Sequence, residues 1–365
     1  MPQGRPKAPT PGQLLRYQPT GAPVFYLKKR LPRVVTSDPW AFLRYRARIA
    51  LPKEAARRVS SYVDQAFDFF ESAANPRTSS RPLLYYYSFL NLAKVFVLLK
   101  GTRQLPLLFK HGISDPKANV KKRLRFEGQR VQLAGRAHDH SEFFPEFLNA
   151  FGTTLASGAH SFRVIRLLSQ IPGIHRTSCM VLDHPPRFCP VEALHFYSKD
   201  GQVWATLKIN PSDKDVSSSL PKIRSSRRFR ALFSQVEGSD DQIWFETNSE
   251  AGQKKGTDKA IGRLCARLRE VGFYAILTQK GYRYYLGNFA PREVLPQLCA
   301  IHAVMFYLGS ITRYKPHYFD AIVSRGYDWL VAEFLETQPT QFLYLLSSHA
   351  AGAEVIKPHA TATHG

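Results

Sequence analysis

The spacing of apolar residues changes along the chain and predicts an order of helices, then strands, then helices. From Pro52 to Ala74 apolar residues recur every three or four positions, which predicts an amphipathic helix. From Arg81 to Gly101, in RPLLYYYSFLNLAKVFVLLKG, they are almost continuous, which predicts a helix buried on nearly every side. Beyond Pro172 the period shifts towards two, and from Arg292 it returns to the helical spacing. This order predicts an α+β fold rather than a doubly wound sheet.

The middle part of the chain has the pattern of short strands with one helix among them. Asp200-Gly201 predicts a hairpin turn, and the stretch from Thr257 to Val271 has one apolar and one basic face, as an amphipathic helix does. The predicted strands are Cys179–Leu182, Ala193–Tyr197, Val203–Ile209, Ile243–Glu246, Phe273–Leu277 and Tyr282–Leu286. The further predicted helices are Phe143–Leu155, Phe162–Ser169, Arg292–Thr312, Pro316–Val323, Asp328–Glu336 and Pro339–Leu346, and Lys117–Arg136 is predicted to be a basic loop.

These patterns divide the chain into five segments. Residues 1–36 form a basic arm rich in Pro and Gly, residues 37–172 a helical region around the buried helix 82–100, and residues 173–290 a mixed β region with the amphipathic helix 257–271. Residues 291–347 form C-terminal helices, and residues 348–365 form a tail. We expect the N- and C-terminal helical parts to pack together around or beside a small, mainly antiparallel sheet, because an apolar helix needs apolar partners.

The apolar stretch from Arg81 to Gly101 has nearly the ~20 residues that a membrane span requires. It contains Asn91 and Lys94, however, and a lysine near the middle of a span costs roughly 2.5–3.5 kcal/mol. We therefore predict a core helix and no membrane span. The N-terminal sequence MPQGRPKAPTPGQLLRY lacks the apolar core of a secretory signal, and the four cysteines form no C-x-x-C pair. Both features favour a reducing, cytoplasmic location.

The charge balance is strongly positive, with 51 Lys and Arg against 28 Asp and Glu and a net charge of +23. Such a surplus favours a polyanionic partner, with RNA or DNA as the first candidate, although it also serves solubility alone. Phe126 and Phe229 lie among the basic clusters, where aromatic rings can stack on unpaired bases. The predicted nucleic-acid-binding residues are Lys121, Lys122, Arg123, Arg125, Arg224, Arg227, Arg228, Phe229, Arg230, Lys259, Arg263 and Arg267.

Three pieces of the sequence together resemble the YaaC-like family of bacterial proteins. They are Asp38-Pro39-Trp40, the stretch RPLLYYYSFLNLAK at 81–94 followed by His111-Gly112, and FYLGSITRYKP at 306–316. The resemblance covers residues 38–346. It implies one integrated fold in which the first and last helices pack together, and it implies no particular reaction and no catalytic residues.

Polar residues interrupt the apolar helix on one side. Arg81, Ser88 and Asn91 follow one another at steps of seven and three and share a face, from which Lys94 departs. Such a polar stripe must find partners. One interpretation is that it lines a cleft with His111, and the other is that it bonds neighbouring helices and fixes their register. The cleft candidates are Arg81, Tyr86, Tyr87, Asn91, Lys94, His111, Arg313 and Tyr314.

A nuclease is the alternative function with the most sequence features behind it. Tyrosines early in a helix, an apolar continuation and a downstream histidine resemble HEPN ribonucleases, which pair an Arg with a His and have four to six residues between the two. The pair from Arg103 to His111 is too long for that motif, and the pairs from Arg136 to His140 and from Arg313 to His317 are too short. A metal-dependent nuclease would use one of two other groups, His138, His140 and Glu142, or Asp241 and Glu246 with Lys254 and Lys255.

The sequence contains none of the best-marked enzyme motifs, GxxxxGK, GxGxxG, GxSxG or HExxH. No cofactor and no metal are predicted for this reason, and enzymatic activity is left open. A third hypothesis from another class is a non-enzymatic scaffold that assembles with a partner or as a homo-oligomer through aromatic surface.

Overall fold

The computed structural model describes residues 7–15, 33–74, 80–100, 110–115, 126–135, 142–238, 241–251, 258–279, 281–289, 294–322 and 326–358. The chain divides into two compact units. Three separate parts of the chain, Met1–Ser37, Pro185–Ala290 and Ala351–Gly365, build the first, which we call the sheet unit. The second, which we call the helical unit, consists of Asp38–His184 and Pro291–Ala350.

Helices and small, mainly antiparallel sheets make up the described residues, and the predicted α+β class is confirmed. The helices are α1 (Pro39–Ala50), α2 (Lys53–Ala73), α3 (Arg81–Leu99), α4 (Phe143–Asn149), α5 (Val164–Leu168), α6 (His175–Val181), α7 (Lys214–Ser225), α8 (Arg227–Leu232), α9 (Asp258–Val271), α10 (Gln297–Tyr314), α11 (Pro316–Ile322) and α12 (Asp328–Ala351). The strands are β1 (Gln13–Leu15), β2 (Arg33–Val35), β3 (Ile113–Ser114), β4 (Arg130–Ala134), β5 (Ala159–Arg163), β6 (Phe188–Val191), β7 (Ala193–Lys199), β8 (Gln202–Ile209), β9 (Phe233–Val236), β10 (Ile243–Thr247), β11 (Glu250–Ala251), β12 (Phe273–Thr278), β13 (Gly281–Gly287) and β14 (Glu354–Ile356).

Helix α3 is the central helix of the helical unit. Pro82 lies in its first turn, where the missing N–H of proline costs no helical hydrogen bond. Phe89, Leu92 and Phe96 are fully buried, and the helix packs against both α2 and α10. The predicted burial of this helix and the predicted packing of N-terminal against C-terminal helices are therefore confirmed. Among the described helices, α3 has the length and apolar composition of a membrane span, and most of it is buried inside the protein.

Three predicted elements of the helical unit are wrong in type or extent. Cys179–Leu182, predicted as a strand, lies in α6 and its C-terminal cap, because a four-residue apolar run fits a helix as well as a strand. The predicted basic loop Lys117–Arg136 contains strand β4, whose buried residues alternate with more exposed ones. Phe162 and Arg163, predicted as the start of a helix, pair with β4 in strand β5 instead.

Helix α12 runs without interruption through Pro339, where the sequence predicts a break between two helices. Proline offers no N–H to the carbonyl four residues earlier, which belongs to Leu335. Arg81 of α3 supplies the missing donor, since its NH2 donates to the Leu335 oxygen at 3.4 Å and its NH1 pairs with Glu336 at 2.5 Å. A side chain from a distant helix thus stabilises α12 next to its proline.

The sheet unit is organised around a sheet with the strand order β1-β7-β8-β10-β9, in which β11 also pairs with β8. Asp200 and Gly201 form the predicted hairpin turn between β7 and β8, both with positive φ. Helices α7, α8 and α9 cover one face of the sheet and bury side chains such as Phe196, Leu207 and Phe245. Strands β6, β12 and β13 form a second antiparallel sheet and contribute to the same core.

Residues 7–15, which we call the N-terminal strap, cross the opposite face of the sheet. Lys7 forms a bridge to the end of β9 at one edge, and Gln13–Leu15 pair with β7 near the other edge. Between these points Thr10 donates its backbone N–H to the Glu246 carboxylate of β10 at 3.0 Å. Strand β2 also joins this unit, in a parallel pair with β14. Both ends of the described chain therefore belong to the sheet unit.

Candidate functional site

The candidate cleft lies beside Gly309, where α3 and α10 approach each other closely. A Cβ atom added to Gly309 would lie 3.1 Å from Tyr86 Cβ and 3.2 Å from the Pro82 oxygen, so a side chain at this position would push the helices apart. The glycine places the first half of α3 against the second half of α10. As a result the tyrosines that begin α3 face Arg313 at the end of α10.

Two hydrogen bonds tie this region together. The Tyr86 hydroxyl lies 2.7 Å from Nδ1 of His111, and Arg313 NH1 donates to the Tyr87 hydroxyl, also at 2.7 Å. The rings of Tyr86 and Tyr87 are 5.4 Å apart between centroids, so the two bonds are neighbours. The guanidinium of Arg313 also lies over the ring of Tyr314, at 4.9 Å. We refer to Tyr86, Tyr87, His111, Arg313, Tyr314 and Lys94 as the α3–α10 cluster.

The cluster is crowded with positive charge. Burial lowers the pKa of His111, and the positive charges of Lys94 and Arg313 lower it further. Burial likewise lowers the pKa of Lys94, with a second contribution from Arg58. Burial raises the pKa of Tyr86 well above its usual value. The His111 imidazole is therefore neutral at pH 7. The Tyr86 phenol stays protonated, and its O–H can donate a hydrogen bond to Nδ1.

The polar stripe of α3 is used mainly to hold α2. Ser88 donates to the Ala66 carbonyl at 2.8 Å, and Asn91 donates to Gln65 Oε1 at 2.8 Å, both on α2. Lys94 then donates to Asn91 Oδ1 at 3.2 Å and connects this pair to the α3–α10 cluster. These bonds support the interpretation that Ser88 and Asn91 fix the register between α3 and α2. Asn91 is almost fully buried.

The structure brings six of the eight cleft candidates together and leaves two outside. Asn91 lies behind Lys94, on the α2 side, and Arg81 makes its polar contacts with Leu335 and Glu336 of α12. Arg81 points to α12 because it completes the helix around Pro339, a requirement that the local sequence of α3 does not show.

Sequence reasoning missed three side chains near the cluster. His302 of α10 is 1% exposed, and neither of its ring nitrogens has a hydrogen-bond partner among the described residues. Its ring packs on Tyr86, with 5.8 Å between centroids. Arg58 and Tyr62 of α2 flank Lys94, whose Nζ lies 4.9 Å from the centroid of the Tyr62 ring. The position of His302 in an apolar helical stretch predicts that the side chain is buried. It does not predict that the ring packs on Tyr86.

The predicted basic residues of α8 and α9 converge in the sheet unit. Arg228 NH1 donates to the Glu270 carbonyl at 3.0 Å, and Arg267 NH2 donates to the Ala231 carbonyl at 3.3 Å, so each helix is bonded to the other. Arg263 and Arg267 both pair with the Glu250 carboxylate. We call this surface, made of Arg227, Arg228, Arg230, Arg263 and Arg267, the α8–α9 basic surface.

Other predicted nucleic-acid-binding residues are placed differently. Phe229 is 2% exposed and stacks on Phe233, with 4.7 Å between centroids, so the predicted stacking of Phe229 on bases is wrong. Phe126 is likewise buried. Arg224 is half-buried and donates to Gln235 at 2.9 Å. Lys121, Lys122, Arg123, Arg125 and the Lys259 side chain lie outside the described residues.

The described residues contain no group of three or more His, Cys, Asp or Glu side chains able to hold a metal ion. His138, His140, Lys254 and Lys255 lie outside the described residues. The sheet unit contains a cavity of about 450 Å³ between the strap and the sheet and another of about 610 Å³ beside β13. The first is lined by Thr10, Trp204 and Glu246, and the second by Asp213, Tyr282 and Glu354, among others.

These features define a class: an α+β protein with an arginine-rich surface on its sheet unit and a phenol and cation cluster in its helical unit. The chain belongs to the YaaC-like family, because the family's sequence profile, described as YaaC-like protein, matches residues 26–350. The predicted resemblance is confirmed. A search of the curated proteins found no match, and neither did a search of the solved structures.

Proposed function

We propose that this YaaC-like protein binds nucleic acid without sequence preference through the α8–α9 basic surface. The observation that carries the proposal is the convergence of arginines from two helices. The bonds from Arg228 to the Glu270 carbonyl and from Arg267 to the Ala231 carbonyl hold α8 and α9 side by side. Guanidinium groups from both helices are then close enough to follow one phosphate backbone. The cytoplasmic location predicted from the sequence is compatible with this partner.

The charge on the surface exceeds what its acidic neighbours neutralise. Arg227 and Arg230 are exposed and contact no carboxylate in the described part of the chain. Arg263 and Arg267 share the single carboxylate of Glu250. The surface therefore retains a net charge of about four, which corresponds to about four phosphates and a slope of log K against log salt near −4 on duplex and near −3 on single strands.

The test is a fluorescence-anisotropy titration of a labelled oligonucleotide of arbitrary sequence at several salt concentrations. Replacing Arg227, Arg228 and Arg230 together by Ser is expected to reduce the magnitude of the salt slope by ~2 units. A matched control replaces Arg48, Lys53 and Arg57, exposed residues of the helical unit, by Ser. It removes the same charge from another surface and is expected to leave the slope nearly unchanged.

Equal losses in the two triple variants would overturn the proposal, because the effect would then come from net charge and not from the α8–α9 basic surface. Binding weaker than ~100 μM at low salt in the unmodified protein would overturn it as well. A denaturing gel of the same samples shows whether the oligonucleotide stays intact, as expected for a binding protein, or is cleaved, as a nuclease would require.

A further inference from the structure

We propose that the α3–α10 cluster is a second binding site, which takes the phosphate group of a small phosphate monoester. This inference does not depend on the α8–α9 basic surface, which belongs to the sheet unit. It concerns a ligand of a different size and rests on contacts within the helical unit alone.

The first observation concerns the acidic neighbours of His111 and Arg313. Neither His111 nor Arg313 contacts an acidic side chain within the described part of the chain. The nearest acidic residue along the chain from His111, Asp115, is already paired with Lys315 at 2.7 Å. The charges of Lys94 and Arg313 therefore disfavour protonation of His111, whose pKa is already lowered by burial. A bound anion offsets these charges.

The second observation is that the cluster offers mainly hydrogen-bond donors. Arg313 uses NH1 to bond Tyr87, and its NH2 and Nε contact no acceptor among the described residues. When the Tyr86 hydroxyl donates to Nδ1 of the neutral His111 ring, Nε2 carries the ring proton and is a further donor. Lys94, which donates to Asn91 Oδ1, adds the positive charge of an ammonium. Arg313 and His111 are both solvent-accessible, so a ligand can reach them.

The third observation is that the donors are held in place before a ligand arrives. Tyr86 is 5% exposed, and its ring packs on Phe306 and His302, which fixes the hydroxyl that orients His111. Tyr87 stacks on Phe69 of α2, with 5.3 Å between centroids, and so fixes the hydroxyl that holds Arg313. Pre-organised donors lose little conformational freedom on binding.

The number and charge of the donors favour a phosphate monoester over a carboxylate. A carboxylate is satisfied by the two parallel N–H groups of one arginine. Here a guanidinium, an imidazole and an ammonium come from three elements, and a phosphate monoester offers three terminal oxygens with close to two negative charges at neutral pH. The group could be carried by a free nucleotide or by the 5′ end of a nucleic acid, which share this chemistry.

The experiment follows the His111 ring by two-dimensional NMR of the histidine nitrogens in the full-length protein, with inorganic phosphate as the first probe. Phosphate is expected to shift the His111 signals and to raise the pKa of His111, because a bound anion offsets the charges of Lys94 and Arg313. Arg313→Gln is expected to weaken phosphate binding at least ~10-fold. The matched control Arg48→Gln, an exposed arginine of α1 in the same unit, is expected to bind phosphate like the unmodified protein.

Two further arms separate the possible sources of the phosphate. Adenosine 5′-monophosphate and a 5′-phosphorylated dinucleotide are compared with adenosine and with the 5′-hydroxyl dinucleotide. Tighter binding of the phosphorylated member of either pair supports the site and names its source, whereas equal binding within both pairs would overturn it. Should Arg313→Gln fail to fold, Tyr87→Phe tests the same point, because it keeps the stacking on Phe69 and removes only the hydroxyl that holds Arg313.

No shift of the His111 signals at ~20 mM phosphate would overturn the proposal. So would shifts that Arg313→Gln and Tyr87→Phe both leave unchanged, since these would reflect an adventitious ion only. The triple Ser variant of Arg227, Arg228 and Arg230 separates the two proposals. It is expected to bind phosphate normally even though its binding of long oligonucleotides is impaired.

Discussion

We predict that His302 lowers the stability of this protein as the pH falls, and that the substitution His302→Phe removes this contribution. The side chain is fully buried among aromatic rings, with Phe144, Phe147 and Phe342 as well as Tyr86 around it. Its pKa is lowered from 6.5 to about 3, chiefly by burial and secondarily by the positive charge of His111. The folded protein therefore keeps this ring neutral under conditions in which an unfolded chain protonates it.

The sign and the size of the effect follow from proton linkage. Below pH 6.5 the unfolded chain takes up a proton at His302 that the folded protein does not, so the free energy of unfolding decreases as the pH falls towards 3. Each pH unit in this window is worth ~1.4 kcal/mol, so lowering the pH to 5 should cost the folded state about 2 kcal/mol through this residue alone. Above pH 6.5 the contribution of His302 to the pH dependence disappears.

The test compares urea unfolding of the unmodified protein and of His302→Phe at pH 7 and at pH 5. Phenylalanine has nearly the same shape and fits the aromatic surroundings. We expect equal or greater stability at pH 7, by up to ~1 kcal/mol, because the substitution removes two buried nitrogens that have no hydrogen-bond partner among the described residues. Between pH 7 and pH 5 the variant should lose about 2 kcal/mol less than the unmodified protein.

A matched control, His317→Gln, changes an exposed histidine of the same unit and should leave the pH dependence as it is. If His302→Phe and the unmodified protein lose the same free energy between pH 7 and pH 5, the ring is protonated in the folded state and the reasoning fails.

Three further substitutions test other parts of the description by urea unfolding. Phe229→Ala should destabilise by about 3–5 kcal/mol, as expected for an emptied core position; a loss under ~1 kcal/mol would mean that the ring is at the surface. Arg81→Ala should cost about 1–3 kcal/mol, because the Leu335 carbonyl loses its donor, and Arg81→Lys should restore only part of this. Leu92→Asp should cost more than ~4 kcal/mol, whereas the same change at Leu14, which is 52% exposed, should have little effect.

The elements that the sequence predicted correctly are those whose own pattern determines their environment. Helix α3 is apolar on all sides, and α9 separates its apolar residues from its arginines, so each could be recognised from about fifteen to twenty residues. Helix α12 was missed as one element because its continuity depends on Arg81, a side chain far away in sequence. The prediction of a strand at Cys179–Leu182 is wrong because a run of four apolar residues is too short to distinguish the period of a helix from that of a strand.

The candidate sites also combine features that the local sequence determines with features that depend on residues far away in sequence. Arginines that follow one another in α8 indicate a basic surface directly, but the burial of Phe229 among them depends on Phe233 and Phe245 in two strands. The tyrosines of α3 and Arg313 of α10 were singled out from their segments. Their pairing depends on the close approach at Gly309, which only the folded structure shows. Short-range sequence patterns thus predicted which residues belong to the candidate sites better than which residues they contact.

The parallel pair of β2 and β14 has a consequence for folding during synthesis on the ribosome. Arg33–Val35 is made before the helical unit, whereas its partner Glu354–Ile356 is made after it. At a synthesis rate of roughly 5–20 residues per second, the early strand waits on the order of 15–60 s for its partner. The whole of the helical unit, up to Ala350, has left the peptidyl-transferase centre by then. The sheet unit is therefore closed only after the helical unit has been made, and removal of β14 would leave β2 without its ladder.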